Sequence, residues 1–274
     1  MTVSGHVRDG AARAVREAAA LVLEAFGRED DPGWYKAPGA LVTETDLAVD
    51  RLLRDRLGAL DPAIGWLSEE SADDPARLAC ERIWVVDPID GTSAFAEGNP
   101  EFGVSVALVE HGRPVLAWFA CPARDEFYEA ARGNGAFRNG ARLAVGERDV
   151  IAGGTVACRR GDAKRAWFRE GMAGARLVPA LSLACQLAAV AAGRIDGVLS
   201  RAPCKEWDTA AADLLIEEAG GRIEDATGAV PRYNKPEPLV PGMVAAGPGL
   251  LGPLRERLRN LRPPSVAAAS PAPG

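Results

Sequence analysis

The 274-residue sequence predicts an α/β fold, and three patterns point to it. Apolar residues recur at helical spacing near the start. A β-branched run at 83–87 is followed by apolar segments broken by turn chemistry. Strand-like and helix-like segments then alternate through the second half.

In order, residues 4–26 place Val7, Ala11, Ala14, Val15, Ala18, Leu21, Val22 and Ala25 on one helical face, with Ser4 as N-cap. The turn-rich run EDDPGWYKAPGA (29–40) reads as a loop. A second helix is expected from near Thr45, with Leu47, Ala48, Leu52, Leu53 and Leu57 inward. IWVVD (83–87) reads as a buried strand that runs into a turn at Asp87-Pro88. Residues 104–137 read as antiparallel strands separated by HGRP, PARD and RGNG. Beyond them come a helix at 182–192, a strand DGVLS, a helix TAAADLLIEEAG stopped by Gly220-Gly221, a strand GRIEDA and a helix at 249–261. A break near 146–153 divides an expected N-terminal α+β lobe (1–148) from a C-terminal α/β lobe (149–262). Residues 263–274 read as a disordered Pro/Ala tail.

Composition narrows the function. Acidic residues outnumber basic ones 38 to 32, for a net charge of −6. Non-specific nucleic-acid binding needs a clustered basic surface, so no nucleic-acid polymer is an expected partner. The two histidines, His6 and His111, sit in no motif that could build a catalytic triad or a multi-His zinc site. Chemistry therefore falls on carboxylates, hydroxyls or thiols. The five scattered cysteines contain no C-x-x-C pair and read as reduced thiols of a cytoplasmic protein. MTVSGHVRDGAAR lacks the apolar core of a secretory leader. The most apolar stretch, 177–193, carries Pro179, Ser182 and Gln186; it reads as a buried helix and not as a membrane span, and no membrane partner is expected.

The carboxylates carry the signal. Asp87 and Asp90 stand at the mouth of the buried strand, in WVVDPIDGTSAF, with no basic neighbour in sequence. Crowded carboxylates repel, so a bound cation is the economical counter-charge, with the Ile89 carbonyl a third hard donor. Oxygen-only donors select Mg²⁺ over zinc. Gly91, Thr92 and Ser93 then open a helix whose backbone N–H groups form an anion site. A lone Asp-Gly-Thr is more often a turn and cap; its place three residues after a strand-end aspartate favours function. Glu69 and Glu70 in WLSEES, and Asp208 read as the N-cap of the helix in EWDTAAADLLIEEAGG, are by themselves ordinary surface acids and an ordinary cap.

Together, WLSEES, WVVDPIDGTSAF and EWDTAAADLLIEEAGG resemble the inositol monophosphatase superfamily of Mg²⁺-dependent, lithium-sensitive phosphatases. VTETDLAVDRLL and GNGAFRNG extend the resemblance over roughly residues 5–260. It implies a layered αβαβα sandwich and a homodimer, with most metal ligands in the N-terminal lobe and Asp208 in the other. It implies two or three Mg²⁺ ions, inhibited by Li⁺. Glu69, Asp87 and the Ile89 carbonyl would hold one metal, and Asp87, Asp90 and Asp208 a second. Thr92 would touch the attacking water, Asp46 would make Thr92 a better proton acceptor, and Glu70 would act through metal-bound water. Gly91, Thr92 and Ser93 would grip the phosphate of a small phosphorylated metabolite, with Lys36 as a further basic contact. Ala40 departs from the polar residue that relatives commonly place before V-T.

For the substrate, LSRAPCKEWDTAA leans toward the 3'(2'),5'-bisphosphate nucleotidase branch. Enzymes of inositol phosphates typically carry a Glu about seven residues before the W-D aspartate, where this chain has Arg201. An arginine there suits a second phosphate, or else a surface ion pair. Trp34, Tyr35 and Trp66 could stack on a base or simply pack locally. Inositol-1-monophosphatase, histidinol-phosphate and fructose-1,6-bisphosphate phosphatase activities are the alternatives within the superfamily. A haloacid-dehalogenase-like phosphatase is disfavoured, because its motif aspartates are two apart and those here are three. An inactive phosphatase-like binding module is the alternative of another class, and it would have been free to lose the acidic positions that are all filled here.

Overall fold

The computed structural model describes residues 3–28, 33–37 and 40–262. The expected Pro/Ala tail at 263–274 lies outside the described residues. The first half comprises α1 (Gly5–Ala25), β1 (Gly33–Ala37), β2 (Ala40–Thr43), α2 (Glu44–Gly58), β3 (Gly65–Ser68), β4 (Arg82–Asp90), α3 (Thr92–Ala96), β5 (Gly103–Glu110), β6 (Arg113–Cys121), β7 (Glu126–Ala131), β8 (Gly135–Arg138) and β9 (Ala141–Arg142). Residues 143–154 then run without helix or strand. The second half comprises β10 (Thr155–Arg159), α4 (Arg160–Ala163), α5 (Ala166–Gly171), β11 (Arg176–Ala180), α6 (Leu183–Ala191), β12 (Gly197–Ser200), β13 (Cys204–Lys205), α7 (Glu206–Glu218), β14 (Arg222–Asp225), β15 (Leu239–Val240), β16 (Met243–Ala246) and α8 (Pro248–Asn260).

Two sheets organise these elements. One has seven strands in the order β3-β4-β5-β6-β7-β8-β9, antiparallel except for the β3–β4 pair. The other has five in the order β11-β10-β12-β16-β14, parallel across β11-β10-β12 and antiparallel beyond. The inner strands β4, β5 and β6 are largely apolar and buried because both faces are covered. Along β4, Trp84 and Val86 pack with α1 and α2, whereas Ile83 and Val85 join a core shared with α6 and α7. Along β16, Met243 and Ala245 enter that same shared core, and Val244 and Ala246 face α5 and α8. The layers are therefore α1/α2, seven-stranded sheet, α6/α7, five-stranded sheet and α5/α8, which is the expected αβαβα sandwich.

Local chemistry explains the boundaries and several departures. Ser4 caps α1 by accepting from the Val7 N–H at 3.3 Å, as expected. The run read as a loop contains β1, which pairs with β2 as an antiparallel hairpin, Trp34 opposite Val42; the β1 side chains are exposed, so no apolar alternation marked it. On α2 the buried face is Asp46, Val49, Asp50, Leu53 and Leu57, while Leu47, Ala48 and Leu52 are half-buried. The apolar run 177–193 is split between β11 and α6, not one helix. Pro179 cannot donate to a ladder and sits on the edge strand β11, and Ser182 caps α6. Among the described residues no helix is long and apolar enough to cross a membrane.

The central position of α7 sets a stability contrast. Leu215→Ala, fully buried between the sheets, should cost about 2–5 kcal/mol in urea unfolding. Leu23→Ala, on the outer side of α1 at 49% exposure, should cost less than about 0.5 kcal/mol.

Candidate active site

The site begins where β4 ends. Asp87 pairs with Ser105 and Asp90 with Gly103, so three steps on β4 match two on β5. On a regular strand residues three apart face opposite sides; this bulge at Pro88-Ile89 turns Asp90 to the side already taken by Asp87. Ile89 accordingly points into the α1/α2 core. Asp90 Oδ2 then reaches the start of α6, accepting from the Ser182 hydroxyl and from the Ala184 N–H at 2.7 Å. Gly91 follows at φ +93°, and a Cβ there would lie 2.7 Å from the Glu101 carbonyl oxygen, so only glycine suits the turn into α3.

Three other segments bring carboxylates to the same place. Glu69 and Glu70 follow β3 on a loop clamped by Asp50, which accepts from Ser68 and Ser71 hydroxyls at 2.5 Å each. Glu70 Oε2 is 2.6 Å from Lys36 Nζ, which also lies 3.8 Å from Glu69. Lys36 is thus engaged with the glutamates. Asp208 is the third residue of α7 and not its N-cap: its Oδ2 accepts from the Lys205 N–H at 3.2 Å, which leaves Oδ1 unspent by the helix. The Ser105 hydroxyl donates to the Trp207 carbonyl at 3.2 Å and seats this end of α7 against β5. Asp46 holds the same place on α2, where Oδ2 accepts from the Thr43 N–H and hydroxyl at 2.8 and 2.6 Å. Its Oδ1 is free to meet the Thr92 hydroxyl at 3.1 Å.

One oxygen each of Glu69, Asp87 and Asp208 lies within 4.8 Å of the others. Asp87 Oδ2 is buried and has no hydrogen-bond partner. Burial, then repulsion from Glu69 and Asp90, pushes Asp87 well above the usual carboxylate range. Asp208 rises through burial and through Asp90 and Glu69. Burial lifts Asp90 to about 7 against the opposing Ser182 and Ala184 bonds. Glu70 rises to about 7 and Asp46 to about 6, burial being the largest cause in each. All donors here are hard oxygens, and one is buried without a donor of its own, so the residues fit a hard divalent cation. The Thr92 hydroxyl has one proton and two acceptors in reach, Asp46 Oδ1 and the Ile89 carbonyl at 3.0 Å.

Sequence reasoning overlooked several supporting groups. Glu101 Oε1 accepts from the Leu181 and Ser182 N–H groups and from Gln186, so it shares the start of α6 with Asp90. The helix expected at 182–192 located that helix end but not its partners. Arg159, at the end of β10, lines a cavity of about 370 Å³ together with Asp90, Asp208, Leu183 and Ser200. Arg201 does not line it. Its guanidinium lies 4.8 Å from the Trp167 ring, and the residue lines a second cavity of about 370 Å³ with Arg159, Asp162 and Arg165 and a further one bordered by Asp225 and Arg259. Trp66 donates to Ser71 and packs locally.

The five-layer α/β sandwich thus carries, at the end of the inner strand β4, a carboxylate cluster suited to hard divalent cations. The inositol monophosphatase family model matches residues 5–259, and the chain belongs to that family. Over 203 residues it is 42% identical to an inositol-1-monophosphatase of Rhizobium meliloti, covering 70% of this chain and 75% of the relative. A 3'(2'),5'-bisphosphate nucleotidase CysQ of Aggregatibacter actinomycetemcomitans is 33% identical over 207 residues, covering 73% and 77%. A Thermotoga maritima IMPase structure superposes with a TM-score of 0.80 at 27% identity, covering 92% of this chain and 96% of that one. The protein is a phosphatase acting on phosphomonoesters.

The raised carboxylates predict a pH-dependent cation effect. In the metal-free protein the folded state holds protons that the unfolded chain gives up near pH 4. The contribution of these groups to stability should therefore fall as pH rises from about 4 to about 7. Mg²⁺ competes with those protons, so it should raise the melting temperature more at pH 8 than at pH 6. Equal shifts at both values would contradict this origin.

Proposed function

We propose that the enzyme hydrolyses a small phosphorylated metabolite with Mg²⁺ held by Glu69, Asp87, the Ile89 carbonyl, Asp90 and Asp208. The observation that carries this reading is the unpartnered, buried Asp87 Oδ2 among repelling carboxylates. Divalent ions in such a site supply charge neutralisation of the phosphoryl group, a more acidic water and leaving-group stabilisation. With the Ile89 carbonyl engaged, Thr92 would donate its hydroxyl hydrogen bond to Asp46, keeping its own proton and leaving its lone pairs to accept a hydrogen bond from the attacking water. Thr43 pins Asp46 for this task. The N–H groups of Gly91, Thr92 and Ser93 precede the first helical bond of α3, from Phe95 N–H to the Gly91 carbonyl, and hold the phosphoryl oxygens. Glu70, anchored by Lys36, supports the site through water.

The second cavity favours a substrate with a second anionic group. Three arginines, Arg159, Arg165 and Arg201, line it against the single carboxylate of Asp162, which Arg165 approaches to 3.3 Å. Trp167 braces Arg201 from one side. A 3'(2'),5'-bisphosphate nucleotide, 3'-phosphoadenosine 5'-phosphate in particular, presents that chemistry, and Arg159 borders both cavities. A second reading is inositol-1-phosphate hydrolysis, favoured by the 42% identity to a relative of that name.

Phosphate release from both substrates, with and without Li⁺ and EDTA, tests this. We expect EDTA- and Li⁺-sensitive release with preference for the nucleotide. Arg159→Met should raise KM for the nucleotide about tenfold or more while sparing inositol 1-phosphate. Preference for inositol 1-phosphate would establish the second reading. Asp90→Asn or Asp208→Asn should abolish turnover, and near-normal activity in either would sink the metal assignment. No EDTA-sensitive release from any sugar or nucleotide phosphate would leave a binding module. Light scattering checks the homodimer proposed by family likeness.

A further inference from the structure

Arg77 lies outside the acidic cluster, on a single 3₁₀ turn at Pro75–Ala79, yet its side chain is only 1% exposed. A buried guanidinium is costly unless its donors are matched. Asp73, on the same loop, accepts two bonds, from Nε at 2.5 Å and Nη2 at 2.9 Å. The remaining reach goes across the molecule: Nη1 donates to Asn234 Oδ1 at 2.8 Å and Nη2 to the Lys235 carbonyl at 3.0 Å. Asn234 Nδ2 returns a bond to the Arg77 carbonyl at 3.1 Å. The backbone N–H groups of Asn234 and Lys235 in turn donate to Glu206 at 2.7 and 3.3 Å. Glu206 is fully buried in the first turn of α7, two residues before Asp208.

A continuous chain of hydrogen bonds therefore joins the loop that carries Glu69 to the helix that carries Asp208. A purely local role would be met by Asp73 alone. The bonds to 234–235 span 157 positions of sequence and end on a turn whose Asn234 takes a left-handed φ of +64°. We propose that Arg77 is a positioning residue that sets the separation of Glu69 from Asp208 and thereby the affinity of the cluster for its divalent cation. This rests on the metal reading given above. Mg²⁺ demands near-ideal octahedral geometry, so a small drift of α7 from the loop is felt in affinity.

The test is calorimetric titration of Mg²⁺ into metal-free protein, with melting temperature and steady-state kinetics alongside. Arg77→Gln should weaken Mg²⁺ binding about 10–100-fold and leave kcat at saturating Mg²⁺ nearly unchanged. Asp73→Asn, which loosens the local ion pair but leaves the bonds to 234–235, should lower the melting temperature without moving the Mg²⁺ affinity. An unchanged affinity in Arg77→Gln, or an equal loss in Asp73→Asn, would make Arg77 merely structural. If Arg77→Gln does not fold, Arg77→Lys, which keeps the charge but not the fork, should show an intermediate loss; wild-type affinity there overturns the proposal. Failure of the unmutated protein to bind Mg²⁺ would remove the metal reading itself, and the role of Arg77 with it.

Discussion

Carboxylates that repel one another at the end of β4 set the terms for the rest of the structure. Oxygens of Glu69, Asp87 and Asp208 no more than 4.8 Å apart would, if all ionised, repel by ~3.5 kcal/mol or more per pair at an effective dielectric constant near 20. Three such pairs rival the whole stability of a typical domain, about 5–15 kcal/mol. Holding these groups ionised and close therefore carries a heavy cost in stability. Either protons stay on, which is what the raised pKa values of Asp87, Asp90 and Asp208 express, or a cation takes their place. A fold that maintains this repulsion gives up stability for function.

The scaffold manages the cost by spending one oxygen of a carboxylate on structure and keeping the other for chemistry. Asp46 and Asp208 each turn Oδ2 back to the start of their own helix. Asp90 does the same at the start of α6, whose free N–H groups also take Glu101. Positive helix ends thus face the negative cluster, where the macrodipole favours anions. The bulge in β4 completes the arrangement, since without it Asp90 would point into the α1/α2 core among Trp84 and Val86.

Much of this was legible before any coordinates. The helices of the first and last segments, the β5–β8 meander and the Asp87/Asp90 pair follow from periodicity and from carboxylates at the mouth of an apolar strand. What escaped was whatever depends on partners distant in sequence. The β1 strand of the β1–β2 hairpin has exposed side chains and so no alternation to detect. The short strands β10, β11 and β16 are defined by neighbours in a second sheet, and Pro179 masked one of them. Arg201 was legible as a basic residue near the helix of Asp208, but only the fold shows it stacked on Trp167 while Arg159 takes the cavity wall beside Asp90.

By itself, the sequence determined the α/β class and the family, and it singled out the acidic side chains of the candidate cluster. Those properties reside in residue type and local spacing, which survive without knowledge of long-range contacts. Tertiary structure alone decided which oxygen of each carboxylate is free, which way Asp90 faces, and how Arg77, Asn234 and Glu206 join two segments of the site. These are matters of ångströms between groups far apart in the chain, and they exist only once both sheets have closed on the central helices.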